Sequence, residues 1–198
     1  MLCIRSFKEL KRFLESKKGF TLIEIIVTMM IIGIVSAMAI PNFSKWREKH
    51  QIDGQAQKVY FDLMLARTAA VKSNNDVRVT FDLVANTYTI HEDSNSDGVV
   101  DAGENLKNAI LENNVQLAYN VGISDADDNA VTSAVSFGGA QVVVFDSRGQ
   151  ASSSGSVLLL HSSDIGISND RARLISVLQA TGSVDYWKYS AADTPPWK

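Results

Sequence analysis

Apolar residues fill positions 20–40 almost without interruption, and Glu24 is the only charge among them. A helix of about 20 apolar residues matches the hydrocarbon core of a bilayer. Pro41 then closes the run, which ends the membrane-like segment without ending the helix, because bundle or membrane contacts tolerate a proline there. Beyond it, Ile52, Ala56, Val59, Leu63, Ala66 and Ala70 recur at steps of three and four. That spacing draws one apolar stripe along a helix, with core packing as its purpose. Lys45, Arg47, Glu48, Lys49, Asp53 and Lys58 are distributed through the same stretch. The pattern predicts one long helix from about residue 20 to 72, its second half laid on a globular domain.

Ser73-Asn74-Asn75-Asp76 breaks the helical period. The period then becomes two. Val77, Val79 and Phe81 alternate with Arg78, Thr80 and Asp82, and Thr87-Tyr88-Thr89-Ile90-His91 follows a short turn at Val84-Ala85-Asn86. This predicts a β-hairpin. Further strands are expected over 115–120, 141–145, 157–161, 173–178 and 183–188. Turns fall at Asp146-Ser147-Arg148-Gly149 and Thr181-Gly182, and residues 152–156 and 124–129 read as polar and acidic loops. The tail 191–198, with Pro195-Pro196, reads as loose. A helix followed by antiparallel strands is an α+β arrangement, a long N-terminal helix packed on an antiparallel β-sheet domain.

A lone carboxylate in a bilayer-length run costs roughly 2.5–3.5 kcal/mol, so Glu24 requires a partner and a task. Arg5, Lys8, Lys11, Arg12, Lys17 and Lys18 precede it. A secretory signal peptide would need a shorter apolar region, at most about 15 residues, and would not place an acid inside it. An ordinary signal anchor leaves Glu24 unexplained, apart from a side chain reaching back to the interface. A leader cut between Gly19 and Phe20 explains more: the apolar run stays attached and becomes the N-terminal helix of the mature chain.

Lys18-Gly19-Phe20-Thr21-Leu22-Ile23-Glu24, the apolar run and Pro41 resemble the processing motif of the type IV pilin and pseudopilin superfamily. The resemblance implies a membrane prepilin peptidase that cuts after Gly19 and N-methylates Phe20. It also implies that Glu24 pairs with the new Phe20 ammonium, in its own or a neighbouring subunit; an opposite charge in a low dielectric favours the ionised carboxylate. Phe81-Asp82, the acidic loop, and Phe145-Asp146-Ser147-Arg148-Gly149 before a Ser/Gly loop resemble the minor pseudopilin H and FimT family. That implies a minor subunit of a type II secretion pseudopilus or of a type IV pilus.

Charge supports this organisation. The chain carries a net −3, and removing a leader of net +4 leaves −7. Basic residues before the span suit a cytosolic N-terminus, with the acidic domain exported. Cys3, the one cysteine, lies in the leader, so the mature chain has no thiol for disulfide, zinc or nucleophile.

Asp93-Ser94-Asn95-Ser96-Asp97-Gly98-Val99-Val100-Asp101-Ala102-Gly103-Glu104 fits the pattern D-x-[DN]-x-[DN]-G-x5-E. Oxygens of Asp93, Asn95, Asp97, the Val99 carbonyl, Asp101 and Glu104 would ligate calcium. A solvated acidic loop rich in turn residues is the competing reading. His50, His91 and His161 are scattered without ligand spacing, and no G-x-S-x-G elbow or phosphate loop accompanies the serines. No enzyme is expected. Trp46 is expected at the membrane boundary and Trp187 against the sheet. Nucleic acid needs clustered basic residues. The Gly-Arg-x-Arg pattern implied by FimT-type DNA binders is replaced here by Gly182-Ser183-Val184-Asp185, and the net acidity disfavours DNA further.

The expected organisation is leader 1–19, membrane and assembly helix 20–40, amphipathic continuation 41–72, β-rich periplasmic domain 73–190 and tail 191–198. The expected role is a minor pseudopilin held in the inner membrane and then built into a secretion filament, there priming assembly or contacting cargo at the tip. Expected partners are the prepilin peptidase, major and minor pseudopilins, and secreted cargo. A minor type IV pilin, including a DNA-uptake module, is the alternative.

Overall fold

The computed structural model describes residues 19–198 except Ser96 and Ala102, with the side chains of 38–42 also outside the description. Helix α1 spans Leu22–Ser73 and continues through Pro41. Two compact units are separated between Lys45 and Trp46. In the first, every described apolar side chain of α1 larger than alanine is at least 43% exposed. Among the described residues, no helix is long and apolar enough to cross a membrane. Side-chain description stops at Ala37 and resumes at Phe43, so part of the expected 20–40 span lies outside it, as do Cys3 and the basic residues of the leader.

Among the described residues, the second unit holds nine strands: β1 (Asp76–Asp82), β2 (Thr87–Asp93), β3 (Asn105–Ile110), β4 (Val115–Leu117), β5 (Val135–Phe137), β6 (Val142–Phe145), β7 (Gly155–His161), β8 (Arg173–Val177) and β9 (Val184–Lys188). They form two antiparallel sheets where the sequence suggested one. The first has the order β3-β2-β1-β6; the second runs β4-β7-β8-β9, with β5 also pairing β7. The β1–β2 hairpin pairs from Asp76↔Asp93 to Asp82↔Thr87, and the positive φ of Asn86 closes its turn.

The stripe Ile52, Ala56, Val59, Leu63, Ala66 and Ala70 is fully buried and packs with residues of both sheets, among them Val79, Phe81, Ile90, Val143, Leu159 and Ile175. The alanines keep the helix close to the strands. The far face of the second sheet carries a smaller core of Leu158, Leu160, Leu174, Ile123 and Trp197. That core corrects the reading of 191–198 as loose. Trp197 is 4% exposed, donates its indole N–H to the Ser124 carbonyl at 2.8 Å and stacks edge-on with Tyr189. Lys198 also exchanges two backbone hydrogen bonds with Lys188, extending the edge of β9.

Candidate functional site

The motif Gly19-Phe20-Thr21-Leu22-Ile23-Glu24 sits at the helix start. Gly19 and Phe20 are exposed and non-helical. The Thr21 carbonyl accepts from the amides of Glu24 and Ile25, and Thr21 Oγ1 accepts from the Glu24 amide at 3.3 Å. Thr21 is therefore the N-cap, and Thr21-x-x-Glu24 has the form of a capping box. Glu24 is exposed in the first helical turn, where the positive end of the helix dipole favours a carboxylate. The Gly19–Phe20 bond thus precedes the cap in non-helical, accessible chain. Thr21 was not singled out by sequence reading, although the Ser/Thr-x-x-Glu spacing could have found it.

Polar residues of α1 fasten the second unit. Asp53 accepts from Arg173 Nε at 2.7 Å and from the Tyr186 hydroxyl at 3.0 Å. Burial pushes the Asp53 carboxyl up, but the Arg173 hydrogen bond and charge, aided by Tyr186 and Lys188, outweigh it and hold it below its ordinary value. Burial, above all, pushes the Tyr186 hydroxyl up to about 12. Asp62 accepts from Tyr88 Oη and Lys107 Nζ, each at 2.6 Å. Burial and then the Asp62 carboxylate raise the Tyr88 phenol far above its ordinary value. Arg171 bridges Glu48 and Asp164. Each of these helix carboxylates lies at least 26 positions from the residue that meets it.

Asp146-Ser147-Arg148-Gly149 also gains a physical reason. Asp146 Oδ1 accepts from the amides of Arg148 and Gln150 at 2.9 and 2.8 Å, which folds the turn. The Gly149 carbonyl then accepts from Arg67 Nε on α1 at 3.1 Å. A side chain at Gly182, whose φ is +60°, would overlap that same carbonyl. The two turns and the helix therefore meet where only glycine fits.

In the acidic loop, the candidate ligands are tied to one another and to neighbouring donors. Among the described residues, no group of three or more acidic, histidine or cysteine side chains could hold a metal ion. Asp93 Oδ2 accepts from Arg78 Nη2 at 2.9 Å and from the Gly98 amide at 3.1 Å. The Arg78 hydrogen bond, assisted by backbone amides, holds its carboxyl below its ordinary value despite burial. Glu104 accepts from Ser94 and from the Asp101 amide. The Asn95 amide donates to Asp97 and Asp101, and the Val99 amide donates to Asp97 Oδ1 at 2.7 Å. A guanidinium offsets the charge of Asp93, and neutral amide and hydroxyl donors within the loop hydrogen-bond Asp97, Asp101 and Glu104. The histidines are dispersed as well: His50 stacks edge-on with Trp46, His91 is buried, and His161 Nδ1 meets Ser163 Oγ.

Comparison with known proteins finds two family matches. The family described as type II transport protein GspH matches residues 55–181, and the prokaryotic N-terminal methylation motif matches residues 16–40. The type IV major pilin protein PilA of Myxococcus xanthus is 50% identical over 38 residues, 19% of this chain and 17% of that protein. The fimbrial protein EcpB of Eikenella corrodens is 38% identical over 53 residues, 27% of this chain and 31% of that one. The chain thus spans less than a third of either relative's length. Among solved structures, the minor pseudopilin EpsH of the type 2 secretion system of Vibrio cholerae is similar at 15% identity and a TM-score of 0.47, over 70% of this chain and 97% of that one. The type IV minor pilin FimU of Pseudomonas aeruginosa is similar at 14% identity and 0.44, over 70% and 89%. Because the GspH match runs from the second half of α1 through β8, the chain belongs to the type II transport protein GspH family.

Proposed function

We infer that this protein is a minor pseudopilin, a structural subunit of the type II secretion pseudopilus. One observation carries the reading: a single chain joins an N-terminal methylation motif over 16–40 to a GspH domain over 55–181. The proposed cycle begins with the prepilin peptidase cutting after Gly19 and methylating Phe20. The mature subunit waits in the inner membrane with its acidic domain in the periplasm. It then enters the filament beside other pseudopilins, priming assembly or meeting cargo near the tip. Apolar surface leaving lipid for a helical filament core stays out of water, so one run serves both states.

Thr21 and Glu24 supply the chemistry of the join. Cleavage leaves an ammonium one residue before the cap, at the helix end where positive charge is disfavoured. The Glu24 carboxylate, from this subunit or the next, offsets it. Gly19→Ala should leave a persistent unprocessed band on a gel, and normal processing would overturn the cleavage assignment. Glu24→Ala should be processed normally yet fail to enter filaments; incorporation at the level of the parent would overturn the pairing. The similarities to PilA and EcpB favour a type IV pilin as the second reading. Deleting the gene separates the two, by loss of protein secretion or by loss of pilus function.

A further inference from the structure

The outer face of the second sheet is covered at one end by Trp197 and Ile123. At its other end lies a cleft of about 350 Å³, and a neighbouring recess of about 240 Å³ shares Asp125, Asn129 and residues 154–156 with it. A row of small polar side chains crosses this open end. Ser136 pairs with Ser156, Ser156 with Ser176, and Ser176 with Asp185, so the row traverses β5, β7, β8 and β9 at one level. Neighbouring strands lie about 4.8 Å apart, which makes the row roughly 14 Å long. A side chain at Gly155 would overlap the Ser136 carbonyl, so the floor stays low between β5 and β7. Trp187 donates its indole N–H to Ser176 Oγ at 2.9 Å and so is held beside the row.

The charge of the cleft is one-sided. Asp125, Asp127 and Asp185 line it, and among the described residues neither lysine, arginine nor histidine does. The Asp125 carboxylate is occupied by the Asp127 and Asn129 amides and the Asn129 side chain. Asp127 and Asp185 are exposed, and neither carboxylate has a partner among the described residues. Elsewhere in the second unit Asp53, Asp62, Asp93, Asp146 and Asp164 each hold a basic side chain, whereas exposed acids outside the cleft such as Asp76, Asp82 and Glu112 have none among the described residues.

We propose that this cleft docks a basic, extended segment of a partner protein, its lysine or arginine side chain seated between Asp127 and Asp185 and its backbone laid along the serine row. Complementarity of charge selects the occupant: unpaired carboxylates attract a cation, and serine hydroxyls both donate to and accept from peptide groups. The indole beside them can add a cation–π contact. A cleft of this volume admits one long side chain and a short stretch of main chain. The proposal does not depend on which filament the subunit joins.

The test uses the full chain in detergent and a synthetic peptide of alternating lysine and glycine, with glutamine replacing lysine in the control peptide. Calorimetry should show binding of the lysine peptide, weakened by added salt, and much weaker binding of the glutamine peptide. The double variant Asp127→Asn/Asp185→Asn should lose about tenfold in affinity, as two exposed ion pairs allow. Ser156→Lys, which puts a cation into the row, should lose at least as much. Glu112→Gln/Asp170→Asn, remote from the cleft, should bind like the parent, and thermal melting checks that each variant folds. Equal binding of the two peptides, unchanged affinity in the folded Asp127/Asp185 variant, or binding of a neutral chitotriose in preference to the lysine peptide would overturn the proposal.

Discussion

The two halves of α1 both carry many apolar residues and use them in opposite ways. From Leu22 to Val35, large apolar side chains point in every direction and remain exposed. From Ile52 to Ala70, one apolar stripe is completely buried by the strands, while Phe61, Met64 and Leu65 remain exposed. Among the described residues, the large apolar side chains of the first half from Leu22 to Val35 stay exposed rather than enter a core. The stripe of the second half is closed within the chain. Glu24 and Asp53 repeat the contrast as charges: Glu24 is exposed, whereas Asp53 is met by Arg173 and Tyr186.

The sharpest break in this comparison comes from Asp53→Ala. It leaves Arg173, whose side chain is 2% exposed, without its carboxylate. The expected loss is about 3 kcal/mol or more in denaturant unfolding, whereas Glu24→Ala should leave the same unfolding curve unmoved. Leu63→Ala follows, at about 2–4 kcal/mol for a buried leucine. Ile31→Ala in the exposed half should cost under about 0.5 kcal/mol in the same assay.

Acid sharpens the contrast further. The folded Asp53 carboxyl titrates below 3.8, so its contribution is fully present above that value and fades as pH falls through the folded value. The stability gap between the parent and Asp53→Asn should therefore narrow below about pH 4. The smallest effect belongs to Thr21→Ala, about 1 kcal/mol of fraying at the first turn. It should be visible as faster hydrogen exchange of the Glu24 amide, with no change in the second unit.

The helix was legible because burial imposes its period directly on the sequence, and every residue of the stripe from Ile52 to Ala70 falls in the core. β3 was missed because it is an edge strand with only Ala109 buried, so Asn-Leu-Lys-Asn-Ala-Ile shows no alternation of apolar residues. β5 was missed because its three residues expose only Ser136 between Val135 and Phe137. The tail was misread because two prolines suggested loose chain, while the deciding residue was one tryptophan reaching Ser124, distant in sequence. At the candidate site, Gly19, Phe20 and Glu24 were legible as a contiguous motif. The acidic loop was legible as chemistry only, since Arg78 reaches Asp93 from the neighbouring strand. The Asp53–Arg173 tie joins residues 120 apart, and no local pattern announces such a pair.

The polar ties of the helix have a mechanical consequence. Glu48, Asp53, Asp62 and Arg67 hold different strands and turns, and they are staggered over about 28 Å of helix at 1.5 Å per residue. A tensile load along that axis falls on all four in shear, with the buried stripe resisting alongside. Peeling would instead load them one at a time. A subunit drawn by its helix would therefore bring its sheets with it as one body, because the links are arranged in parallel along the direction of pull.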